Sequence, residues 1–293
     1  SNSPNFQNQP LEVRGMYIAR EGHSLVAGDW DAGEMRIGGL ASGDKTFIAD
    51  FATYDAGTGP KVHITNMVAI FGMEPQWEAA LKESKGDKVT AGSQLADKFL
   101  GCYRAAKVFA YAAAYGAGPI TVFEKVREEM PDMDYKTFQD CFARYKKARR
   151  QLFEFQAALV KQVTQQHYLD SPNLGRRVFF FEQVFGEDSP EASAMQNFPY
   201  QSGLAEVVGA ANKRMMTFIA DWRHTRLKKA GEQVKVGRKR VPVLYTETIE
   251  QLAQVHDELL FEVPSRLAEE FAVEFKRITE LPVDAKYAHW NMP

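Results

Sequence analysis

Apolar residues between positions 135 and 167 step by three and four: Phe138, Phe142, Tyr145, Ala148, Leu152, Phe155, Leu159 and Val163. That spacing is one continuous stripe on a 3.6-residue repeat and predicts a single long packing helix with Lys146, Lys147, Arg149 and Arg150 on its solvated face. Shorter helical patterns occupy 32–40, 62–71, 76–83 and 95–116, the last with Gly101 marking a junction. Alternation takes over towards both ends of the chain. Runs 11–20 and 23–30 predict a hairpin about Glu21-Gly22, and 168–181 predicts a small one about Pro172, Asn173 and Gly175. Residues 191–229 read as helix after an irregular entry at Asn197-Phe198-Pro199. A helix over 265–280 is N-capped by Ser265, and 283–290 returns as a last strand.

The stretch that organises the rest is Ala253-Gln-Val-His-Asp-Glu-Leu-Leu-Phe-Glu-Val263. Strand-like runs 251–255 and 259–263 flank His256, Asp257 and Glu258, so the acids fall at a tight turn. Strands rarely end in an unpaired acidic pair unless water or a cation meets it there. A second acid, Asp29, ends the run 24–30. A lone acid after a strand is ordinarily a helix N-cap or turn residue. Two such carboxylates brought together can instead bridge two Mg²⁺ ions about 3.5–4 Å apart for phosphoryl transfer.

A third pattern is Tyr103-Arg-Ala-Ala-Lys-Val-Phe-Ala-Tyr-Ala-Ala-Ala-Tyr-Gly116. With Arg104 at 0° on a helix, Lys107 falls at about −60°, Tyr111 at about −20° and Tyr115 at about +20°. Two cations and two aromatics share one narrow face, with alanine elsewhere. The face reads as core aromatics on an amphipathic helix, or as a phosphate clamp followed by stacking surfaces for a sugar or base.

Composition narrows the field. The 293 residues, 45% hydrophobic, suffice for one large or two modest domains. The 36 Lys and Arg against 38 Asp and Glu leave −2, so only local charge bears on a polyanionic partner. Segment 228–240 concentrates Lys228, Lys229, Lys235, Arg238, Lys239 and Arg240, as a solvated loop or a phosphate-backbone contact. Two cysteines and six histidines without metal-ligand spacing argue against structural zinc. The longest uncharged run, 108–123, has 16 residues, short of the about 20 that a membrane span needs. A soluble, cytoplasmic protein without a membrane partner is expected.

Four motifs in order now carry a resemblance: Gly28-Asp-Trp-Asp-Ala-Gly-Glu-Met-Arg36, Arg104 to Gly116, Asn197-Phe-Pro-Tyr-Gln201 and Gln254-Val-His-Asp-Glu258. Together they resemble the polymerase region of family A DNA polymerases, with bacteriophage members nearest. The likeness runs over nearly the whole chain. It implies an α/β (α+β) fold, a palm with a central antiparallel sheet plus helical fingers. The expected division is palm over 1–59, fingers over 60–135 and palm again over 136–293.

The resemblance implies a DNA-directed DNA polymerase acting on primer–template DNA and dNTPs with two Mg²⁺ ions, Mn²⁺ being able to substitute. Asp29, Asp257 and the Trp30 backbone carbonyl would hold the metals, with Glu258 an accessory acid. Glu34 would be the steric gate against a 2′-hydroxyl, hydrogen-bonded to Tyr115. Lys107 and His63 would meet the triphosphate, Tyr111 the sugar and Tyr115 the templating base. Gln7, Asn8, Arg36, Asn197, Gln201, Gln254 and His256 would read duplex shape from the minor groove, whose acceptors are nearly alike in all base pairs.

Departures from the pattern fall around the substrate. Tyr103 stands where the family has an arginine, so Arg104 is expected to swing onto the triphosphate. Ala32 and Gly33 replace Gln and Ile, and Ser193 replaces an arginine. Against the family pattern the chain is expected to be one part of a split, cleaved or truncated polymerase without thumb and exonuclease regions, and the favoured expectation is a second polypeptide that supplies the thumb, with or without the exonuclease. If phage-encoded, the protein would work in the bacterial host cytoplasm. The competing reading is a non-catalytic DNA-binding subunit that keeps the fold; retention of Asp29, Asp257 and Lys107 together weighs against it.

Overall fold

The computed structural model describes residues 15–181, 190–229, 233–236, 239–242 and 248–283, with side chains over 15–181, 191–222 and 248–283. After a turn at Gly22, β1 (His23–Asp29) leads into the helices α1 (Gly33–Ser42), α2 (Lys45–Asp55), α3 (Val62–Phe71), α4 (Glu74–Glu83) and α5 (Lys88–Lys98). Next come α6 (Leu100–Ala114), α7 (Pro119–Glu129), α8 (Tyr135–Ala148) and α9 (Arg150–Gln166). A hairpin, β2 (Tyr168–Asp170) with β3 (Arg177–Phe179), precedes the 40-residue α10 (Pro190–Lys229). The chain continues through β4 (Gln233–Val236), β5 (Lys239–Pro242), β6 (Glu250–Val255), β7 (Glu258–Pro264), a 3-10 turn at Ser265–Leu267 and α11 (Ala268–Thr279). This mixture of helices with small antiparallel sheets is the α/β (α+β) class expected.

Packing divides the chain into two units, one of residues 1–33 with 204–293, the other of residues 34–203. The second unit holds α2 to α9 and the β2–β3 hairpin.

The first unit holds the antiparallel sheet β1-β7-β6. Successive residues of each strand face opposite sides of it. Ser24, Val26 and Gly28 lie across from Val263, Phe261 and Leu259, and this face takes α11, whose Phe271 and Phe275 rings lie 5.2 and 5.3 Å from Phe261. Gly28 is required there, because a Cβ would come 2.5 Å from Phe275 Cε1. The opposite face carries Asp29 across from Glu258.

Three expectations differ from the structure in this unit. Run 11–20 is not the hairpin partner of β1: residues 15–20 form no strand, and 11–14 lie outside the described residues. Arg20 instead ties itself to β7, its amide donating to Glu262 Oε1 at 2.7 Å and its guanidinium to the same carboxylate. Nor does Ser265 cap the last helix; its hydroxyl pairs with Ser24 Oγ at 2.8 Å, and α11 starts through the 3-10 turn. The basic segment expected as a loop includes the two-stranded pairing of β4 and β5. The strand expected over 283–290 lies almost wholly outside the described residues.

In the helical unit the single helix expected over 135–167 is two, broken at Arg149 (φ −115°, ψ 43°). The polar face proposed for Arg149 is the wrong one. Its guanidinium is buried over the Phe47 ring, 4.0 Å from the centroid, and donates to Asn66 Oδ1, Thr46 Oγ1, Thr65 Oγ1 and Asp50 Oδ2. Turning that side chain inward takes the backbone off the helix. The junction near 100 falls at Phe99, not Gly101. Pro199 does not interrupt the start of α10; it lies inside it. Helix starts are set by Asp44, Asp87 and Asp134, each accepting first-turn amides. Among the described residues no helix is long and apolar enough to cross a membrane.

Candidate active site

The β6–β7 hairpin turns in two residues, since Val255 pairs directly with Glu258. His256, the first of the two, takes φ +51°, a left-handed conformation that a non-glycine residue adopts at a cost on the order of 1 kcal/mol. His256 is exposed and Asp257 half-buried. The Asp257 carboxyl is raised above the ordinary carboxylate range, first by burial and then by the negative charge of Asp29; its backbone hydrogen bond and His256 pull the other way. Asp29, exposed at the end of β1, is thus an electrostatic neighbour of Asp257 although remote in sequence.

That arrangement suits a hard divalent cation. The charge of Asp29 reaches Asp257, and carboxylate oxygens are the donor type that Mg²⁺ prefers. Among the described residues no three His, Cys, Asp or Glu side chains form a metal-binding cluster, so the candidate centre is a carboxylate pair. Trp30 follows Asp29 with its side chain buried. Its carbonyl accepts the Gly33 amide at 3.1 Å, closing a turn in which Ala32 has φ +54°. A carbonyl oxygen has a second lone pair, so that bond leaves room for a metal. Glu34, half-buried, lies in the first turn of α1 where the helix dipole favours a negative charge.

In the helical unit α6 bears out the predicted face as geometry. Arg104 and Lys107 are exposed, Tyr111 and Tyr115 half-buried, and Ala105, Ala106, Ala110, Ala112, Ala113 and Ala114 buried behind them. Phe109 anchors that back, its ring 5.4–5.7 Å from those of Phe138, Phe142 and Tyr145. Tyr111 and Tyr115 ring centroids lie 6.0 Å apart. His63, on α3, is 6% exposed with its ring 5.5 Å from Tyr111, so it supports that tyrosine's flank more than it meets solvent.

The expected duplex-reading residues fall in both units. Arg36 is 4% exposed, bonded twice to Asp55 at 2.7 and 2.8 Å and stacked 4.4 Å over Phe51, so that it ties α1 to α2. Gln201 is exposed on α10, and Asn197, one turn earlier, is half-buried with an unpartnered Oδ1. In the first unit Gln254 is exposed, accepting from Asn212 at 2.8 Å, and His256 stands at the hairpin tip. Gln7 and Asn8 lie outside the described residues.

Sequence reasoning missed Gln156 and, although it singled out Ser193, missed the contact that Ser193 makes at the end of α6. Gln156, on α9, is 4% exposed and donates through Nε2 to Ala113 O at 3.0 Å and Ala114 O at 2.8 Å. Ser193 donates to Gly116 O at 2.6 Å. A signal existed for the first: Gln156 lies four residues after Leu152 and three before Leu159, a polar side chain inside an apolar stripe.

Residues 102–287 match the family model for DNA polymerase family A. The chain belongs to DNA polymerase family A. It is 24% identical over 273 residues to DNA polymerase I of Chloroflexus aurantiacus, an alignment covering 90% of this chain and 23% of that protein. The thermostable DNA polymerase I of Thermus filiformis is 24% identical over 289 residues, covering 96% and 28%. The chloroplastic/mitochondrial DNA polymerase I B of Arabidopsis thaliana is 27% identical over 282 residues, covering 91% and 24%. This family A chain spans about a quarter of the length of the curated relatives it matches. Its fold is also that of the POL domain of Pol1 from M. smegmatis, solved in complex with DNA primer-template and dNTP, at a TM-score of 0.66 and 20% identity, covering 94% of this chain and 41% of that one.

Proposed function

We propose that the chain provides the palm and fingers of a template-directed DNA polymerase, joining a dNTP to a primer 3′-hydroxyl. Its bacteriophage-like character and a bacterial cytoplasmic location belong to the same proposal. The observation that carries it is the Asp29–Asp257 pair: in a family A chain, two strand-end acids lie close enough that one raises the pKa of the other. A cation between them relieves that repulsion, so binding and release of a proton from Asp257 are coupled.

Asp29, Asp257 and the Trp30 carbonyl would hold two Mg²⁺ ions, which when bound ease loss of the 3′-hydroxyl proton and neutralise the leaving phosphates. Arg104 and Lys107 bind the triphosphate, and the open face of α6 supports that role. Tyr111 lies under the sugar, and Tyr115 stacks at the templating base. Glu34 packs against the sugar and excludes a 2′-hydroxyl. Tyr111 also carries over a tolerance for dideoxynucleotides. The new bond joins the primer 3′-oxygen to the α-phosphorus, and the bond to pyrophosphate breaks.

The test is primer extension with Mg²⁺ by the chain alone and with a thumb-bearing family A fragment, alongside Asp29→Ala. Extension that depends on Asp29 supports the reading. Duplex binding with no extension in any arm would return the non-catalytic DNA-binding subunit.

A further inference from the structure

The C-terminal end of α6 is held more tightly than a helix end requires. Ala117 donates to Ala112 O at 3.0 Å and Gly116 to Ala113 O at 3.1 Å, with Gly116 at φ +74°, so the backbone itself closes the end in a Schellman arrangement. Those two bonds leave Ala114 O as a buried last-turn carbonyl without a helical donor. Gln156 fills that need, its amide nitrogen spanning Ala113 O and Ala114 O. Nε2 lies within hydrogen-bond distance of both oxygens, so one carboxamide ties two successive peptide units.

A second hold lies on the far side of Tyr115. Ser193 donates to Gly116 O, and Gln196 packs so closely on Gly116 that a Cβ there would lie 2.9 Å from Gln196 Cβ. Tyr115 therefore sits between two clamps from two other helices, α9 before it and α10 after it. Its own amide donates to Tyr111 O at 3.0 Å. Its backbone has little freedom, and the direction in which its ring leaves the helix is set by its neighbours.

We infer that Gln156 and Ser193 are positioning residues for substrate selection: they hold Tyr115 at one height and angle, and through it set nucleotide affinity and discrimination between correct and incorrect dNTPs. This rests on the reading of Tyr115 as the ring at the templating base. Neither residue touches the reacting atoms, so their loss acts on binding and selection before chemistry.

The full chain is assayed in primer extension, with any thumb-bearing fragment that wild type requires, as wild type, Gln156→Glu, Ser193→Ala and Ser193→Thr. Glutamate keeps the shape of Gln156 but presents oxygen to two carbonyls. For Gln156→Glu we expect the dNTP KM and the misinsertion ratio each to rise about tenfold with kcat within about twofold, the scale of one or two lost hydrogen bonds. Ser193→Ala should show about threefold changes in the same direction, and Ser193→Thr, which keeps the hydroxyl, wild-type values. Thermal melting checks that each variant is folded; if Gln156→Glu is not, the Ser193 pair decides. Wild-type KM and misinsertion in folded Gln156→Glu and Ser193→Ala, or a fall in kcat alone, overturns the clamp and leaves the polymerase reading standing. A wild-type chain that extends no primer under any condition removes both.

Discussion

The β6–β7 hairpin of one unit and helix α6 of the other are built on opposite principles. The β6–β7 hairpin places His256 at φ +51° and crowds Asp257 against burial and the charge of Asp29. Helix α6 ends at a glycine whose φ of +74° costs nothing, rests on a back of buried alanines, and presents its cations to water. One region stores unfavourable energy that a bound cation can release; the other is relaxed before any ligand arrives. Activity should therefore be most sensitive to charge at the hairpin and to shape behind the helix.

The sharpest break is Asp257→Asn. We expect primer extension to fall by about 10³-fold, the scale of losing a preorganised electrostatic contact. The melting temperature should not fall, because a like charge has been removed from Asp29. A variant that is both inactive and markedly less stable would mean the hairpin is not strained by its acids.

Lys107→Ala on the relaxed side should raise the dNTP KM by about tenfold to hundredfold while changing stability by less than about 0.5 kcal/mol. Arg104→Ala should act in the same direction, and a dNTP KM equal to wild type would remove Arg104 from the site. Turning to the back of the helix, Ala110→Leu overpacks a position with no exposure and should cost about 1–3 kcal/mol in denaturant titration.

The smallest effect concerns pH. Glu262 is held below the ordinary carboxylate range, first by the Arg20 amide and then by its guanidinium, against the opposing pull of burial. Its folded pKa is below its unfolded value, so the stabilisation is complete above about pH 4.3 and is lost as pH falls through the folded value. The denaturant midpoint of Glu262→Gln should drop less between pH 7 and pH 3 than that of wild type. An identical drop would show that Arg20 gives the carboxylate nothing.

What the sequence made legible followed from short-range pattern. The open face of α6 came from angular spacing alone, and the hairpin turn from two apolar runs with acids between them. Arg149 was misjudged because a charged residue on a helix is read as solvated unless its partners are visible. Here the partners, Asp50 and Asn66, come from other helices. The Asp29–Asp257 proximity was inferred through family resemblance, since spacing carries no distance. Gln156 was passed over because one polar residue in a stripe reads as tolerated noise, while its meaning lies in the α6 carbonyls that accept its hydrogen bonds.

The break at Arg149 also has a kinetic consequence. The partners of this one side chain lie 83 to 103 residues earlier in the sequence. None of those bonds can form until long loops have closed, and loop closure is an entropic debt that local helix formation does not reduce. Helices α8 and α9 can each form early on their own, but the corner between them is fixed only when α2 and α3 arrive. Truncating Arg149 should therefore accelerate unfolding far more than it slows folding, making this residue a latch of the finished structure and not part of its nucleus.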